Sequence, residues 1–552
     1  MKQLSLFLLS FLLPLSLADA CTNLIVGKAA SKDGSVMFSY SADSYGAFMP
    51  LYHYPAARHS PGEMRKIYDW DTNRYWGEIP EAPETYNVVG NMNEWQVAIG
   101  ETTYGGREEM VDSTGIIDYG SLIYIALQRS KTAREAIRVM TSLAEKHGYN
   151  SGGESFTVCD PDEAWIMEMQ GKGPGSKGVV WVAQRLPDDC ISAHANQSRI
   201  RTFNMKDKEN VMYSKDVIKF ARQKGWFTGK DSEFSWADVY APADFGGRRY
   251  CDARVWSFFN KWVEGGFSEY LPWALGIDKD AKPMPLWVKA KRKLGVEDLE
   301  ASMRDHYEGT PLSLDRPDDA GQGIGGMPYR LSPLSFEVDG AKYCNERPIS
   351  TQQSAFVFVA QLRSWLPRQV GGVLWFGNDD ANMIAFTPIY CSMTRLPNCY
   401  ATPGADALNF SSDNAYWMCN MVSNIVYPRY ESLFPDLKAV RDRLEKKYFA
   451  QQPSVEREAM AILEAKGEAE CAAFLNDYSV KEAQNMLAEW QNLAKYLIVK
   501  YNDFVVKPEK DGQFERSKYG IGATVKRPGY SERMRRAIVS GCGEKYRMPD
   551  AK

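Results

Sequence analysis

Histidine is scarce in this 552-residue chain, with five in all (His53, His59, His147, His194 and His306), and none falls into an HExxH or other paired ligand spacing. A zinc hydrolase needs such paired ligands, so no metal site is expected. A GxSxG elbow is also missing, which removes one common presentation of a catalytic serine. No long basic or aromatic-basic stretch occurs and the formal charge is only −4, so neither nucleic acid nor a charge-driven partner is expected. Gly321–Gly326 is glycine-rich, but no strand precedes it and no helix follows, so it reads as a loop and not as a phosphate cradle. No cofactor is implied. Ten cysteines are too few for a disulfide scaffold at this length. Cys391 and Cys399 bracket a turn-like stretch and are the best-placed pair, with buried free thiols as the alternative. Past the first twenty residues no apolar run approaches the ~20 residues that cross a hydrocarbon core, so no transmembrane segment is expected.

What is present starts at the first residue. MKQLSLFLLSFLLPLSLADA carries one lysine, an apolar run from Leu4 to Leu17, and Ala18-Asp19-Ala20, the parts of a secretory signal peptide with a small-x-small cleavage site. Residues 1–20 are therefore read as a signal peptide, and the product as an exported chain, periplasmic or extracellular, that begins at Cys21. A lipid anchor on Cys21 fits poorly, because a lipoprotein site has Leu three residues before the cysteine and a small neutral residue two before, where this chain has Ala18 and Asp19.

Such a cut leaves a cysteine with a free α-amine. A thiol titrates near 8.5 and an α-amine at about 7.7–8.0, so near neutral pH a useful fraction of the amine is unprotonated and can take the thiol proton. One residue then supplies both nucleophile and base, with a fixed separation. The plain alternative is an incidental cysteine at a frayed terminus.

After Cys21 the apolar run Leu24–Val26, the Lys32-Asp33-Gly34 turn and the run Val36–Tyr40 predict a hairpin. A second strand pair is expected over Tyr86–Val89 and Gln96–Ile99, and one helix over Leu122–Lys146. Further strands are expected at Ser155–Cys159, Ala164–Glu168, Val179–Val182, Ser354–Leu362 and Val373–Phe376, which together argue for mixed α and β layers. From about Asn414 the pattern turns helical, over Trp417–Leu433, Leu437–Phe449, Val455–Leu475 and Lys481–Tyr501. The division is then 21–413 for a catalytic domain, 414–505 for a helical portion packed on it, and 506–552 for a C-terminal extension. The proline-rich stretch from Pro311 to Pro333 reads as an ordered long loop or cap.

CTNLIVGKAASKDGSVMFSYSADS, GNMNEWQVAIGETTYGGREEM and ISAHANQSRI together resemble the bacterial cysteine dipeptidases of the dipeptidase A type, N-terminal-nucleophile hydrolases related to penicillin V acylase and bile salt hydrolase. Further similarity lies in YCDARVWSFFN, MRDHYEGTP and RSWLPRQVGGVLWFG, so the likeness runs from Cys21 to about Asn502. It implies an α+β fold, an αββα sandwich of two antiparallel sheets between helical layers. The implied activity is hydrolysis of a dipeptide or small amide through a thioester on Cys21, without a cofactor. Carried over by position, Asp43 orients the terminal amine, and the Asn196 amide lines the oxyanion hole together with a backbone N–H near Glu101-Thr102. Arg254 supports the site from behind. An N-acyl amide hydrolase on the same scaffold and a non-catalytic peptide-binding lipoprotein remain the alternatives. One departure stands out: many members have arginine three residues before the aspartate, where this chain has Tyr40. Another cation, Arg254 or Arg107, would then have to serve the thiol, or the amine would act alone. Oligomeric state is not implied.

Overall fold

The computed structural model describes residues 21–314, 326–330, 334–520 and 522–549. The expected signal peptide, most of Gly321–Gly326 and much of the proline-rich stretch lie outside the described residues. The expected hairpin forms. Thr22–Val26 and Val36–Asp43 pair antiparallel, with Thr22 opposite Ser41 and Val26 opposite Met37. Every residue of both strands is buried, because they are inner strands of a seven-stranded antiparallel sheet. In spatial order that sheet runs Trp287–Val288, Ile191–His194, Thr22–Val26, Val36–Asp43, Ser354–Leu362, Val373–Asn378 and Thr387–Tyr390.

A second antiparallel sheet has eight strands, in the order Val211–Tyr213, Val179–Arg185, Ala164–Gly171, Gly153–Cys159, Ala98–Gly105, Met92–Asn93, Val88–Val89 and His53–Tyr54. Period-two alternation divides its side chains between two cores. Ala164 and Ile166 join the core shared with the first sheet, whereas Trp165, Met167 and Met169 join a second core under helices Tyr119–Arg129 and Ala133–His147. The sheets approach closely at Gly100, where a Cβ would lie 2.5 Å from Asn23 Oδ1 and 2.8 Å from Phe38 Cε2. His194 of the first sheet bonds Thr102 and Thr157 of the second, each at 2.7 Å. Helices Ala415–Val426, Tyr430–Lys466 and Glu468–Tyr501 add Leu437, Tyr448, Leu475 and Trp490 to the main core. Trp375 of the first sheet meets Phe449 there at 4.7 Å. The architecture is α+β.

Several expected elements differ. The helix predicted over Leu122–Lys146 is two, because Thr132 accepts the Glu135 N–H at 3.2 Å and starts a new helix inside an uninterrupted apolar pattern. The return from Val88–Val89 passes through a short strand at Met92–Asn93, since the side-chain Oδ1 of Asn93 accepts from the N–H groups of Trp95 and Val97 and folds the turn. The last two helices end and begin at Gly467 (φ 88°), not near Pro453, which sits exposed within the first of them. Cys391 and Cys399 are separate buried thiols, Cys391 donating to the Arg368 carbonyl at 3.1 Å, so the expected pairing is corrected. Residues 522–549 are mostly exposed and include the α-helix Glu532–Cys542, followed by a 3-10 turn at Gly543–Tyr546.

Candidate active site

Cys21 opens the Thr22–Val26 strand and is buried. Its backbone nitrogen donates to Asn196 Oδ1 at 2.8 Å. Arg254, in the helix Ala253–Trp262, donates from Nη1 to the Cys21 carbonyl at 2.6 Å and to Thr22 Oγ1 at 2.8 Å. Its Nη2 reaches Asn196 Oδ1 at 2.9 Å and the Ala195 carbonyl at 3.2 Å, and its Nε reaches the Tyr250 carbonyl at 2.9 Å. One buried guanidinium therefore holds the Cys21 peptide and the amide that touches its nitrogen. Asn196 adopts φ 58°, a left-handed geometry that asparagine tolerates better than most residues, which turns its side chain back toward Cys21. Its Nδ2 donates to the Thr103 carbonyl at 2.7 Å.

Asp43 ends the second strand. Its carboxylate accepts from Arg347 Nη2 at 2.6 Å, Ser354 Oγ at 2.6 Å and Ser41 Oγ at 3.0 Å. Asp43, Cys21, Tyr40, Glu101, Trp70 and Tyr119 line one enclosed pocket. The thiol donates to Glu101 Oε1 at 3.4 Å, and the Tyr40 hydroxyl donates to the same oxygen at 2.6 Å while lying 3.9 Å from the sulfur.

A sequence profile of peptidase family C69 matches residues 20–54 and 51–443. The chain belongs to peptidase family C69. It is a cysteine-type peptidase, and Cys21 lies inside the matched region. Members similar to it include a "probable dipeptidase" of Latilactobacillus sakei, 25% identical over 507 residues that span 87% of this chain and 98% of that protein. A "probable dipeptidase" of Salmonella dublin is 25% identical over 400 residues (68% and 81%), and "dipeptidase A" of Lactobacillus helveticus is 23% identical over 460 (79% and 87%).

In this C69 peptidase, Asn196, Arg254 and Glu101 contact Cys21 at its nitrogen, carbonyl and sulfur, and Asp43 lines the same pocket. Thr102 does not turn its side chain to it; its hydroxyl bonds His194. Burial holds that histidine down to about 3, so it is a neutral bridge between the sheets. Arg254 is the cation behind Cys21, whereas Arg107 lies over the Trp226 ring at 4.2 Å and donates to the Val239 carbonyl.

Sequence reasoning missed three groups. Arg347 neutralises Asp43 from 304 positions away, a distance over which no local spacing carries a signal. Glu101 was expected to contribute a backbone N–H, yet it brings its carboxyl to the thiol. Burial pushes that carboxyl up to about 7, against hydrogen bonds from Tyr40, Glu154 and the thiol that favour its charged form. Glu154, opposite Thr103 on the neighbouring strand, is raised well above the carboxylate range by burial and then by the charge of Glu101. Oε2 of each glutamate has no conventional donor among the described residues, the arrangement of two carboxyls that share one proton. Among the described residues no group of three or more His, Cys, Asp or Glu is placed to hold a metal, and no helix is long and apolar enough to cross a membrane.

Proposed function

We propose that this chain is an exported dipeptidase with the αββα sandwich of N-terminal-nucleophile hydrolases, and that Cys21 becomes its first residue. The observation that carries the reading is the convergence of Asn196 and Arg254 on the nitrogen and carbonyl of one cysteine that follows a signal-peptide pattern. Removal of residues 1–20 converts that nitrogen into an amine. It can still donate to Asn196 Oδ1 while its lone pair takes the thiol proton.

The thiolate adds to the substrate carbonyl carbon. The resulting oxyanion is met by the backbone N–H near Glu101-Thr102 and by Asn196 Nδ2, which exchanges the Thr103 carbonyl for the substrate oxygen. A fixed donor of this kind contributes about 3–4 kcal/mol. The ammonium of Cys21 returns its proton to the departing amino group, the C–N bond breaks, and an acyl thioester remains. Water, deprotonated by the same amine, cleaves the thioester and restores the thiol. Asp43 lines the same pocket and, fixed by Arg347, Ser354 and Ser41, shapes the wall beside the amine. Arg254 keeps the cysteine in place throughout. The relatives' names point to dipeptides as the substrate class.

N-terminal sequencing and mass analysis of the exported protein test the processing, with an unmodified Cys21 as the expected first residue. Another start, or a diacylglycerol on the sulfur, sinks the mechanism. A panel of dipeptides against N-acyl amides tests the substrate class; turnover of N-acyl amides alone would remove the dipeptidase reading.

A further inference from the structure

The pocket beside Cys21 holds a buried carboxyl, Glu101, and no lysine or arginine is among the described residues that line it. Five aromatic residues line it (Tyr40, Tyr52, Trp70, Tyr119 and Phe356), along with two carboxylates, Asp43 and Glu101, and no lysine or arginine. The two carboxylates are not equivalent. Asp43 already has Arg347 at 2.6 Å. Glu101 Oε1 accepts from a phenol and a thiol, and its acidic neighbours among the described residues are Glu154, hydrogen-bonded to it, and Asp71, whose charge also raises it. A carboxylate 1% exposed, paired with neutral donors and floored in an aromatic pocket, is set up to receive a positive group from outside.

Bond geometry says which positive group. In a dipeptide the α-nitrogen is two bonds from the scissile carbonyl carbon, about 2.5 Å away. Attack requires sulfur and carbon to approach to about 3–3.5 Å. The α-nitrogen of a bound substrate therefore lies within a few ångströms of the Cys21 sulfur, the region where Glu101 Oε1 stands at 3.4 Å. We propose that Glu101 is an anionic subsite for the α-ammonium group of the substrate residue whose carbonyl is attacked. The ammonium replaces the thiol as the donor to Oε1, which frees the thiol proton for the Cys21 amine. Tyr40 beside it is a neutral donor, so it binds the carboxylate without compensating its charge. Glu154 completes the subsite: by keeping the shared proton it holds the pair at a single negative charge, matched to a single ammonium.

This rests on Cys21 being the nucleophile, and the test separates the two claims. The processed full-length protein is treated with alanine chloromethyl ketone, with its N-acetyl derivative, and with iodoacetamide, and alkylation of the Cys21 peptide is followed by mass spectrometry. The wild type should react faster with the free-ammonium ketone than with the acetylated one. Glu101→Gln should lower that ratio by about 10- to 100-fold, the worth of a hydrogen bond to a charged group. Its iodoacetamide rate should not fall, because loss of a neighbouring negative charge does not disfavour a thiolate. Equal rates for the two ketones in the wild type overturn the subsite without any variant. An unchanged ratio in Glu101→Gln, or a parallel fall with all three reagents, overturns it as well, the latter by making Glu101 a servant of the thiol. If iodoacetamide fails to label Cys21 in the wild type, the nucleophile assignment itself falls and takes the subsite with it.

Discussion

On one side of Cys21, Asp43 meets Arg347 and two serine hydroxyls, and Asn196 meets Arg254. On the other side, Glu101 meets a phenol, a thiol and a second carboxyl. Both flanks are buried, and both place a carboxylate in the same pocket. The first has its charges compensated within the protein and acts as a frame. The second has no lysine or arginine among the described residues that line the pocket. Burial alone thus does not tell a structural carboxylate from one that acts on substrate; the identity of its partners does.

The largest effect should come from the group between the flanks. Cys21→Ala removes the nucleophile and leaves both in place, so dipeptide turnover should fall by about 10⁴-fold or more while the thermal transition persists. Retained turnover would break the whole comparison. Asp43→Asn leaves the Arg347 guanidinium buried beside a neutral amide and should cost about 3–5 kcal/mol in urea unfolding. Glu101→Gln breaks no ion pair and should cost far less, so equal losses for the two variants would erase the distinction between the flanks. Gly100→Ala would force a methyl against Asn23 and Phe38, next to the point where Asn23 Nδ2 holds the Glu101 carbonyl at 2.8 Å. A loss of about 1–3 kcal/mol is expected there, together with weakened turnover as the Glu101 flank moves off the sulfur. A normal variant would mean that the sheets have slack.

The smallest effect is in the pH dependence of stability. Glu101 in the folded protein titrates at about 7, above its ordinary 4.5. Between those values the unfolded chain has released a proton that the folded chain still holds, so this group makes the wild type less stable as pH rises from 4.5 toward 7. Glu101→Gln removes that slope together with the part of the Glu154 shift that Glu101 causes, while Glu168 and Asp379, buried acids raised in the same sense, are unchanged between the two proteins. Thermal melts of the pair across this window should therefore shift in favour of the variant as pH rises. A difference that is flat or of opposite sign would place a charged Glu101 in the folded state throughout.

Much of the frame was legible in the chain. Val36–Tyr40 and Ser354–Leu362 are apolar runs long enough to declare themselves as buried strands, and Cys21, Asn196 and Arg254 fall in stretches with recognisable neighbours. Thr132 could not be read as a helix start, because Ala133, Ile137 and Met140 continue the apolar stripe of the preceding helix. The break expected between Phe449 and Val455 does not occur, because the helix carries Pro453 on an exposed face. The Glu101 flank was invisible for a different reason. Its chemistry comes from Cys21, Tyr40, Glu101 and Glu154, which two sheets from separate parts of the chain bring to one point, and no spacing along a single strand encodes that meeting.

Arg254 grips Cys21 by its carbonyl and not by its nitrogen. The bond that would be cut to release residues 1–20 lies on the opposite side of the α-carbon, so the scission leaves that grip untouched. Maturation on this plan swaps one substituent, acyl for hydrogen, on a single nitrogen inside a finished cradle: the sulfur is already aimed, and cutting the leader only converts its neighbour from an amide into a base.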